Sequence, residues 1–521
     1  MQELPVGELA AEEARTKPSE VPPKSALNEL WLWFILPLVA IYLYLNLFVS
    51  AAVPILLSGD QVFFWMNGQR MLFGEYPYRD FFQFTPPGTD FFYFSLFKLF
   101  GPKIWALNAS VLIVGVALSL VCFLIAKQIM SRKMSVLMTF LFVVLLYGKT
   151  LNATHHWFSV LAIMGALAIL VPRMTLSRMM VAGVLLGASS FFTQTHAVFA
   201  LIALMLALAW QSPALKGRLW KYQVSLLMPF LLTVLALNLP VVSVVGVKQL
   251  WFCQFTYVRE FMVHGAETAI LGMPVVANWR ELSPLAIAAR YAEFIFVYLL
   301  LPIVYSLVLI RCRRDSRLRS DSRIIMLLLT GILLLLEVAF SLNWLRLYAV
   351  AMPAIILFGW LVDIQKLNRY FALLLWVLVM GLALSQVLRH RHNYVVADLP
   401  AGRAAVPLKD FQKLSWMQQR LTPGEFLFQA DWPGMYIPLG VHNPTFLDTA
   451  DTTQVGEWTQ RAIEQLEAKQ VHYVVWSSRL DSPPDPHQPP LEYLSLLRSY
   501  ILQKFSIVQT FADGEQVWER K

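Results

Sequence analysis

Residues 104–126 read IWALNASVLIVGVALSLVCFLIA, an apolar run without a single charged side chain. A helix that crosses a bilayer needs about 20 mostly apolar residues, and this run is long enough. Three basic residues follow it, namely Lys127, Arg132 and Lys133. Because Lys and Arg concentrate in cytoplasmic connections, the run predicts a membrane helix whose C-terminal end faces the cytoplasm.

The whole chain repeats this pattern. Of its 521 residues 57% are hydrophobic and 14% charged, whereas soluble domains have about 45–50% and about 25%. The mean hydropathy is +0.56. This composition excludes soluble enzymes, disordered and collagen-like chains, and nucleic-acid-binding proteins. It predicts a polytopic α-helical membrane protein with about 11 transmembrane helices, near residues 31–53, 104–126, 134–148, 157–172, 179–193, 195–210, 223–245, 289–310, 324–341, 346–362 and 370–388.

The basic residues alternate between the connections. Sixteen Lys and Arg follow the second, fourth, sixth, eighth and tenth runs, and the short connections between the other runs contain almost none. The net charge of +9 therefore reflects the membrane topology of the chain and does not indicate an anionic partner. By the positive-inside rule the N-terminus is cytoplasmic and the C-terminus lies outside. We expect an integral protein of a bacterial inner membrane with a periplasmic or extracellular C-terminal domain.

Composition also divides the chain. Residues 1–29 are polar and predict a disordered cytoplasmic leader, and residues 30–388 form the transmembrane domain with long outer loops at 58–103 and 246–288. Residues 389–521 predict a soluble extracytoplasmic α/β domain. In it we expect strands at Glu425–Asp431, Met435–Val441 and His472–Ser478 and helices at Glu457–Lys469 and Leu491–Phe505.

The first outer loop is the most informative segment. Asp60 precedes an amphipathic stretch, Val62–Phe73, which is typical of a helix at the membrane interface. Gly74 ends this stretch, and Pro86-Pro87-Gly88 forces a turn before a second, aromatic-rich helix that ends near Gly101. We therefore expect two helices that lie flat on the outer surface.

This loop resembles the first outer loop of the GT-C superfamily of polyprenyl-phosphate-sugar-dependent glycosyltransferases. It is similar to the branch with the protein O-mannosyltransferases and the lipid A aminoarabinose transferases. The resemblance rests on Asp60, on the turn Gly74–Asp80 and on Pro86-Pro87-Gly88. The Asp-Glu or Asp pair of the family is matched by Asp60, which is followed here by Gln61 rather than Glu, so only one carboxylate of the pair is present. Asn343–Tyr348 with Pro353 resembles the Arg-Tyr…Pro segment of a late helix in these enzymes.

The resemblance implies a GT-C-like fold and an inverting glycosyltransferase. Such an enzyme moves a hexose or pentose from a polyprenyl-phosphate sugar donor to a hydroxyl of a glycan, lipid or protein acceptor. Asp60 is the implied general base, because a carboxylate can take the proton of the attacking hydroxyl. Cations must stabilise the leaving lipid phosphate, and Arg binds phosphate through two N–H groups. The candidates for this role are Arg346, Lys149 and Arg259.

Further substrate-binding candidates lie in the same outer connections, namely Tyr78, Arg79, Asp80, His155, His156, His196 and Tyr348. The histidines have no spacing that unites them as metal ligands, so loop polarity or satisfied interfacial imidazoles explain them better than metal binding does. The sequence identifies no definite cofactor. A divalent metal is the one cofactor that it leaves open. Membrane lipid is an expected partner and nucleic acid is not.

Each candidate also has a structural explanation. Asp60 could cap the helix that follows it. Arg79 and Asp80 could form an exposed ion pair, Tyr78 could belong to an aromatic belt, and Arg259 could lie on a solvated face. Glu337 lies within an apolar run, where a carboxylate usually faces a cavity or a partner such as Arg346. For the whole protein, the alternatives are a lipid or solute transporter and a non-catalytic membrane scaffold.

Overall fold

The structure is a computed structural model, and it describes residues 27–215, 217–262, 283–339, 343–364, 369–389, 394–450, 456–481 and 494–521. The predicted leader lies outside the described residues, apart from residues 27–29, which already belong to the first helix. Residues 263–282, which belong to the second of the predicted long outer loops, also lie outside them.

Helices dominate the first 389 residues. Their elements in chain order are α1 Leu27–Leu47, β1 Phe48–Ser50, β2 Val53–Pro54, α2 Gln61–Leu72, α3 Gly88–Phe100, α4 Ile104–Ala126, α5 Arg132–Phe142, α6 His155–Leu170, α7 Leu176–Ser190, α8 Gln194–Trp210, α9 Leu219–Val245, α10 Val247–Trp251, α11 Pro284–Arg314, α12 Ser316–Ser320, α13 Ser322–Val338, α14 Trp344–Val350, α15 Met352–Ile364 and α16 Arg369–Arg389. A helix coincides with each of the eleven predicted runs, α5 being continued by a π-helical turn at Val143–Tyr147.

The lengths of these helices differ. In the described part of the chain, five helices are long and apolar enough to cross a membrane: Ile104–Ala126, Arg132–Thr150, Leu219–Val245, Ile295–Arg314 and Tyr370–Leu388. A sixth crossing results if α14 and α15, which meet at an angle of 51°, are one broken span. Four shorter apolar helices accompany them, namely Phe34–Leu47, α6, α7 and α8. The bundle is therefore that of an integral membrane protein.

The C-terminal part combines strands and helices. Its elements are β3 Tyr394–Leu399, β4 Gly402–Pro407, α17 Leu408–Gln418, β5 Leu427–Gln429, α18 Tyr436–Leu439, α19 Gly456–Ala468, β6 Tyr473–Ser477, α20 Ser495–Lys504, β7 Phe505–Thr510 and β8 Glu515–Arg520. The sheet has the order β5-β6-β8-β7, with β5 parallel to β6 and the other pairs antiparallel. Strands β3 and β4 form a separate antiparallel pair.

The expected strand at Met435–Val441 was wrong. Tyr436–Leu439 is a short helix, and Gly440 follows it in the left-handed conformation with φ of 66°. The apolar run suggested a strand, but Pro438 has no N–H to donate to a strand partner. The expected strands at 425–431 and 472–478 are present in shorter form as β5 and β6.

The C-terminal part packs onto the first loop of the bundle. The Leu56 N–H donates to the Ala405 carbonyl over 2.9 Å, and the Phe82 N–H donates to the Phe446 carbonyl over 2.7 Å. The Asn443 side-chain amide contacts the Met66 sulfur at 3.4 Å. We call this end of the bundle, where residues 48–103 meet the C-terminal part, the domain end.

This contact corrects the expected surface position of the first loop helix. In α2 every residue from Gln61 to Met71 except Phe63 is buried. The amphipathic pattern suggested a helix half exposed to the membrane interface, but the C-terminal part covers its second side. Helix α2 also approaches α3 closely at Gly68, where an added Cβ would lie 2.7 Å from the Cβ of Tyr93.

Candidate functional site

Three histidines come together at the domain end. His155 and His156 begin α6, and His196 lies in the first turn of α8. The ring centroids of His155 and His156 are 4.0 Å apart, and those of His156 and His196 are 5.3 Å apart. The two helices begin side by side at this end of the bundle, which unites side chains about forty positions apart in sequence.

A carboxylate from a distant helix completes this group. Glu337, near the end of α13, accepts a hydrogen bond from the Thr195 hydroxyl, and its Oε2 lies 3.1 Å from His196 Nε2. The other ring nitrogen of His196 lies 2.7 Å from the Ser159 hydroxyl. The sequence indicated Glu337 as a carboxylate that faces a cavity or a partner such as Arg346, and the structure places it beside His196 and Thr195. The side chain of Glu337 is 14% exposed, so it borders the group rather than lying sealed within it.

Arg346 brings a permanent positive charge to the same place. Its helix, α14, packs against α6, which begins with His155 and His156, and against α13, which carries Glu337. The backbone N–H of Arg346 donates to the Asn343 side chain over 2.9 Å, which caps the start of α14. We call His155, His156, His196, Glu337 and Arg346 the histidine–arginine cluster. It combines proton-accepting groups with a guanidinium that can bind phosphate.

Asp60 lies at the start of α2, and its side chain is exposed. It accepts no side-chain hydrogen bond from the first turn of this helix, so the N-cap explanation is wrong. The residues just before it, Ser58 and Gly59, line a cavity of about 330 Å³ against the C-terminal part. One turn later, the ring of Phe64 lies 5.4 Å from that of His155. Helix α2 therefore borders both this cavity and the histidine–arginine cluster.

Tyr78, Arg79 and Asp80 form a separate turn. Arg79 Nη2 lies 2.6 Å from Asp80 Oδ2, which also accepts from the Tyr76 N–H over 2.7 Å. The hydrogen bonds from Arg79 lower the pKa of Asp80, so the expected ion pair is present. Tyr78 has a φ of 68° and is buried, which excludes the aromatic-belt explanation for its side chain.

Known proteins resemble this chain in structure. No family profile matches the sequence, and no curated protein sequence does. Solved structures do match. ArnT from Cupriavidus metallidurans bound to undecaprenyl phosphate superimposes with a TM-score of 0.58 at 13% identity, over 95% of this chain and 98% of that chain. Its apo form gives a TM-score of 0.57 at 13% identity over the same shares.

The chain has the GT-C fold. ArnT has this fold, and the likeness extends over nearly the whole of both chains. The fold resemblance that the sequence suggested through Asp60, the turn Gly74–Asp80 and the segment Asn343–Tyr348 is thereby confirmed.

Three candidates remain, namely Lys149, Arg259 and Tyr348. Lys149 is exposed in the short helical turn Gly148–Thr150 that leads towards α6. Arg259 is exposed and pairs with its neighbour Glu260 at 3.1 Å, so it lies on a solvated surface. Tyr348 is buried with its ring centroid 6.0 Å from that of Trp344. Among the described residues no contact joins Arg259 to the histidine–arginine cluster.

One carboxyl group of the first loop was not among the candidates that the sequence indicated. Asp90, in the first turn of α3, is completely buried and accepts hydrogen bonds from Asn67 over 3.2 Å and from Gln83 over 3.0 Å. Burial raises the pKa of Asp90 to about 7, and these two hydrogen bonds oppose the rise. An Asp in the first turn of a helix is common, so the signal for a special environment was absent from the sequence.

The structure also bears on the divalent metal that the sequence left open. Within the ranges that the structure describes, no group of three or more His, Cys, Asp or Glu side chains is arranged to hold a metal ion. The histidine–arginine cluster holds its imidazoles beside a guanidinium, whose charge repels a cation. The divalent metal that the sequence left open thus has no candidate ligand set among these residues.

Proposed function

We propose that this protein is an inverting glycosyltransferase that moves a sugar from a polyprenyl-phosphate donor to an acceptor hydroxyl. The observation that carries the proposal is the meeting of three histidines and Glu337 at the domain end of a GT-C fold, beside helix α14, which carries Arg346. The likeness to ArnT, which was solved with undecaprenyl phosphate, supports a lipid-phosphate donor.

In the proposed reaction Asp60 takes the proton from the acceptor hydroxyl. The hydroxyl oxygen bonds to the anomeric carbon as the bond from that carbon to the donor phosphate breaks. The electron pair leaves with the polyprenyl phosphate, and attack from the opposite face inverts the anomeric configuration. Arg346 binds the leaving phosphate through two N–H groups, and Lys149 adds charge at the edge of the site. The imidazoles of His155 and His156 donate hydrogen bonds to the donor.

We also propose the location of this reaction. The alternation of basic residues puts the domain end outside a bacterial inner membrane and the N-terminus in the cytoplasm. All eleven helical runs then cross the membrane. Residues 30–388 carry the donor site, and residues 389–521 cover it from the periplasm.

Turnover by the purified full chain tests the proposal. The protein in nanodiscs is given polyprenyl-phosphate sugars with a pentose, a hexose or an amino sugar, and released polyprenyl phosphate is measured. We expect release with at least one donor when an acceptor extract is present, and inverted configuration in the product. If labelled lipid-linked sugar instead crosses vesicle membranes intact, the protein is a transporter and the proposal is wrong.

A further inference from the structure

A second cavity at the domain end has a different character. It has a volume of about 360 Å³, and aromatic and arginine side chains dominate its lining. We name it the aromatic–arginine pocket and define it by Tyr78, Arg79, Phe82, Phe446, Trp458 and Arg461. The first loop supplies three of these residues and the C-terminal part supplies the other three, so both parts of the chain build it.

The aromatic rings form a connected wall. The ring of Trp458 lies 4.7 Å from Phe82 and 5.2 Å from Phe446, and it stacks on Tyr257 at 5.8 Å with an angle of 14°. Trp458 is half-buried, so part of its ring remains open. The face of an aromatic ring carries negative charge. It therefore attracts the slightly positive C–H groups on one side of a sugar ring.

The two arginines give the pocket a positive rim. Arg79 uses Nε and Nη2 for Asp80 and is 52% exposed, which leaves N–H groups on the other side of its guanidinium. Arg461 lies over the ring of Phe446 with Cζ 4.0 Å from the centroid. Among the described residues Arg461 makes no ion pair, and the pocket has no carboxylate in its lining. An anion would thus find the guanidinium of Arg461 together with those N–H groups of Arg79 that do not bind Asp80.

Hydrogen bonds connect the pocket to the histidine–arginine cluster. The Gln254 side chain donates to the Tyr78 hydroxyl over 2.8 Å and accepts from the Gln194 side chain over 2.7 Å. Gln194 directly precedes Thr195, which donates to Glu337 of the cluster. The Tyr78 hydroxyl in turn donates to the Thr85 carbonyl over 2.6 Å. The pocket is therefore held rigidly beside the proposed donor site.

We propose that the aromatic–arginine pocket binds an acidic saccharide, a sugar ring that carries a carboxylate or a phosphate. The rings stack on the sugar, and Arg79 and Arg461 pair with its anionic group, since the arginine fork matches both carboxylate and phosphate. The volume is at the lower end of the roughly 300–1,000 Å³ of small-molecule sites. It suits one or two sugar units rather than a lipid chain. That this saccharide belongs to the acceptor rests on the proposed function.

Calorimetric titration of the full chain in detergent tests the binding. The probes are glucuronate, glucose 6-phosphate, glucose and inorganic phosphate. We expect at least one of the two acidic sugars to bind about tenfold or more tightly than either glucose or phosphate, because only an acidic sugar uses rings and arginines together. Comparison of glucuronate with glucose 6-phosphate identifies the anionic group.

The variants separate the two halves of the pocket. Arg461→Gln should lower the affinity for the acidic sugar about tenfold, towards the affinity for glucose. Trp458→Leu should lower it towards the affinity for inorganic phosphate. Arg403→Gln is the control, since Arg403 is an exposed arginine of the same part of the chain outside the pocket. If Trp458→Leu fails to fold, Arg461→Gln and Arg461→Lys decide, because Arg461 is exposed. Equal affinity for all four probes, or unchanged binding by Arg461→Gln, overturns the proposal.

The outcome is distinguishable from that of the proposed function. Acidic-sugar binding that depends on Arg461, in a protein that never releases polyprenyl phosphate, would support the pocket and contradict the glycosyltransferase. Sugar transfer without any binding of acidic sugars would support the enzyme and contradict the pocket.

Discussion

Asp60 and Asp90 belong to the same loop and have opposite environments. Asp60 is exposed at the start of α2, and Asp90 is completely buried between Asn67 and Gln83. An accessible carboxylate can reach an acceptor hydroxyl, whereas a sealed one cannot without a rearrangement of α2 and α3. The exposed position of Asp60 is compatible with its proposed role as the base, whereas the carboxyl group of Asp90 is enclosed by its hydrogen-bond partners.

Asp60→Asn should separate catalysis from folding. Asparagine cannot accept the proton, and general base catalysis contributes about 10²–10⁴-fold, so turnover should fall by roughly that factor. The melting temperature should stay nearly unchanged, because Asp60 makes no capping hydrogen bond to α2. Turnover and melting are measured in nanodiscs beside Asp398→Asn, whose side chain is 92% exposed in the C-terminal part. Near-normal turnover would remove Asp60 from the mechanism, and Asp80 would be tested next.

Asp90→Asn should change how stability depends on pH. The folded pKa of about 7 lies above the ordinary value of about 3.9. Between these values the folded state keeps a proton that the unfolded chain has released, so the free energy of unfolding falls as pH rises through this window. The melting temperature of Asp90→Asn relative to that of the wild type should therefore be higher at pH 8 than at pH 5. An equal difference at both pH values would show that Asp90 is ionised throughout.

Arg346→Lys should weaken donor use without unfolding the protein. Lysine keeps the charge but loses the two-point geometry that matches phosphate. We expect the apparent KM for the lipid donor to rise about tenfold, since hydrogen bonds to charged groups contribute about 1.5–3 kcal/mol. Arg403→Lys is the matched control. An unchanged donor titration would place the phosphate elsewhere, with Lys149 as the next candidate.

At the scale of elements, the α2–α3 pair holds the loop in place. Helix α2 carries Asp60 at its start and Phe64 against His155, and it touches α3 through Gly68. Tyr93 of α3 donates to the Ala153 carbonyl over 2.8 Å, just before the histidines. The position of Asp60 relative to the cluster thus depends on a close contact between two short helices.

Gly68→Ala should loosen this contact. Its new Cβ would lie 2.7 Å from Tyr93 Cβ and 3.0 Å from the Phe94 nitrogen, and overpacking of this kind typically costs about 1–3 kcal/mol. We expect a lower melting temperature together with reduced turnover. Gly381→Ala of α16 is the control, because nothing lies within 4 Å of its Cβ position. There alanine should stabilise the helix by up to about 1 kcal/mol. Equal melting of both variants would contradict the close packing of α2 on α3.

At the scale of the whole molecule, the basic connections between the helices contact one another. Arg323 donates to the Gln128 carbonyl over 2.8 Å, and the Trp210 ring N–H donates to the Arg319 carbonyl over 3.0 Å. These contacts tie the basic connections after the second, sixth and eighth runs into one surface. Such a surface suits the cytoplasmic side of a membrane.

Reporter fusions test this orientation. A reporter after Lys521 should be active outside and one after Arg319 inside, because the sixteen basic residues of the alternate connections retain their side of the bilayer. The assay uses paired reporters that work only in the periplasm or only in the cytoplasm. Both fusions on one side would mean that one of the eleven helices does not cross.

The apolar runs were predictable because hydropathy is a local property. Residues 104–126 were expected as a helix and are one, and the positions of the other runs agree to within a few residues. The three outer histidines, Arg346 and Glu337 were recognisable because polar groups beside apolar runs stand out. The resemblance to the GT-C superfamily came from short motifs, most of which lie in the first loop.

Tertiary packing decided the rest. Glu337 and Thr195 are 142 positions apart, and no local pattern predicts that they bond. Helix α2 has the periodicity of a half-exposed helix, and only the contact with residues near Asn443 buries its second face. The pKa of Asp90 depends on burial, which the residue type does not reveal. Local sequence determines which segments are apolar enough to be helices, and only their long-range contacts determine which side chains leave water together.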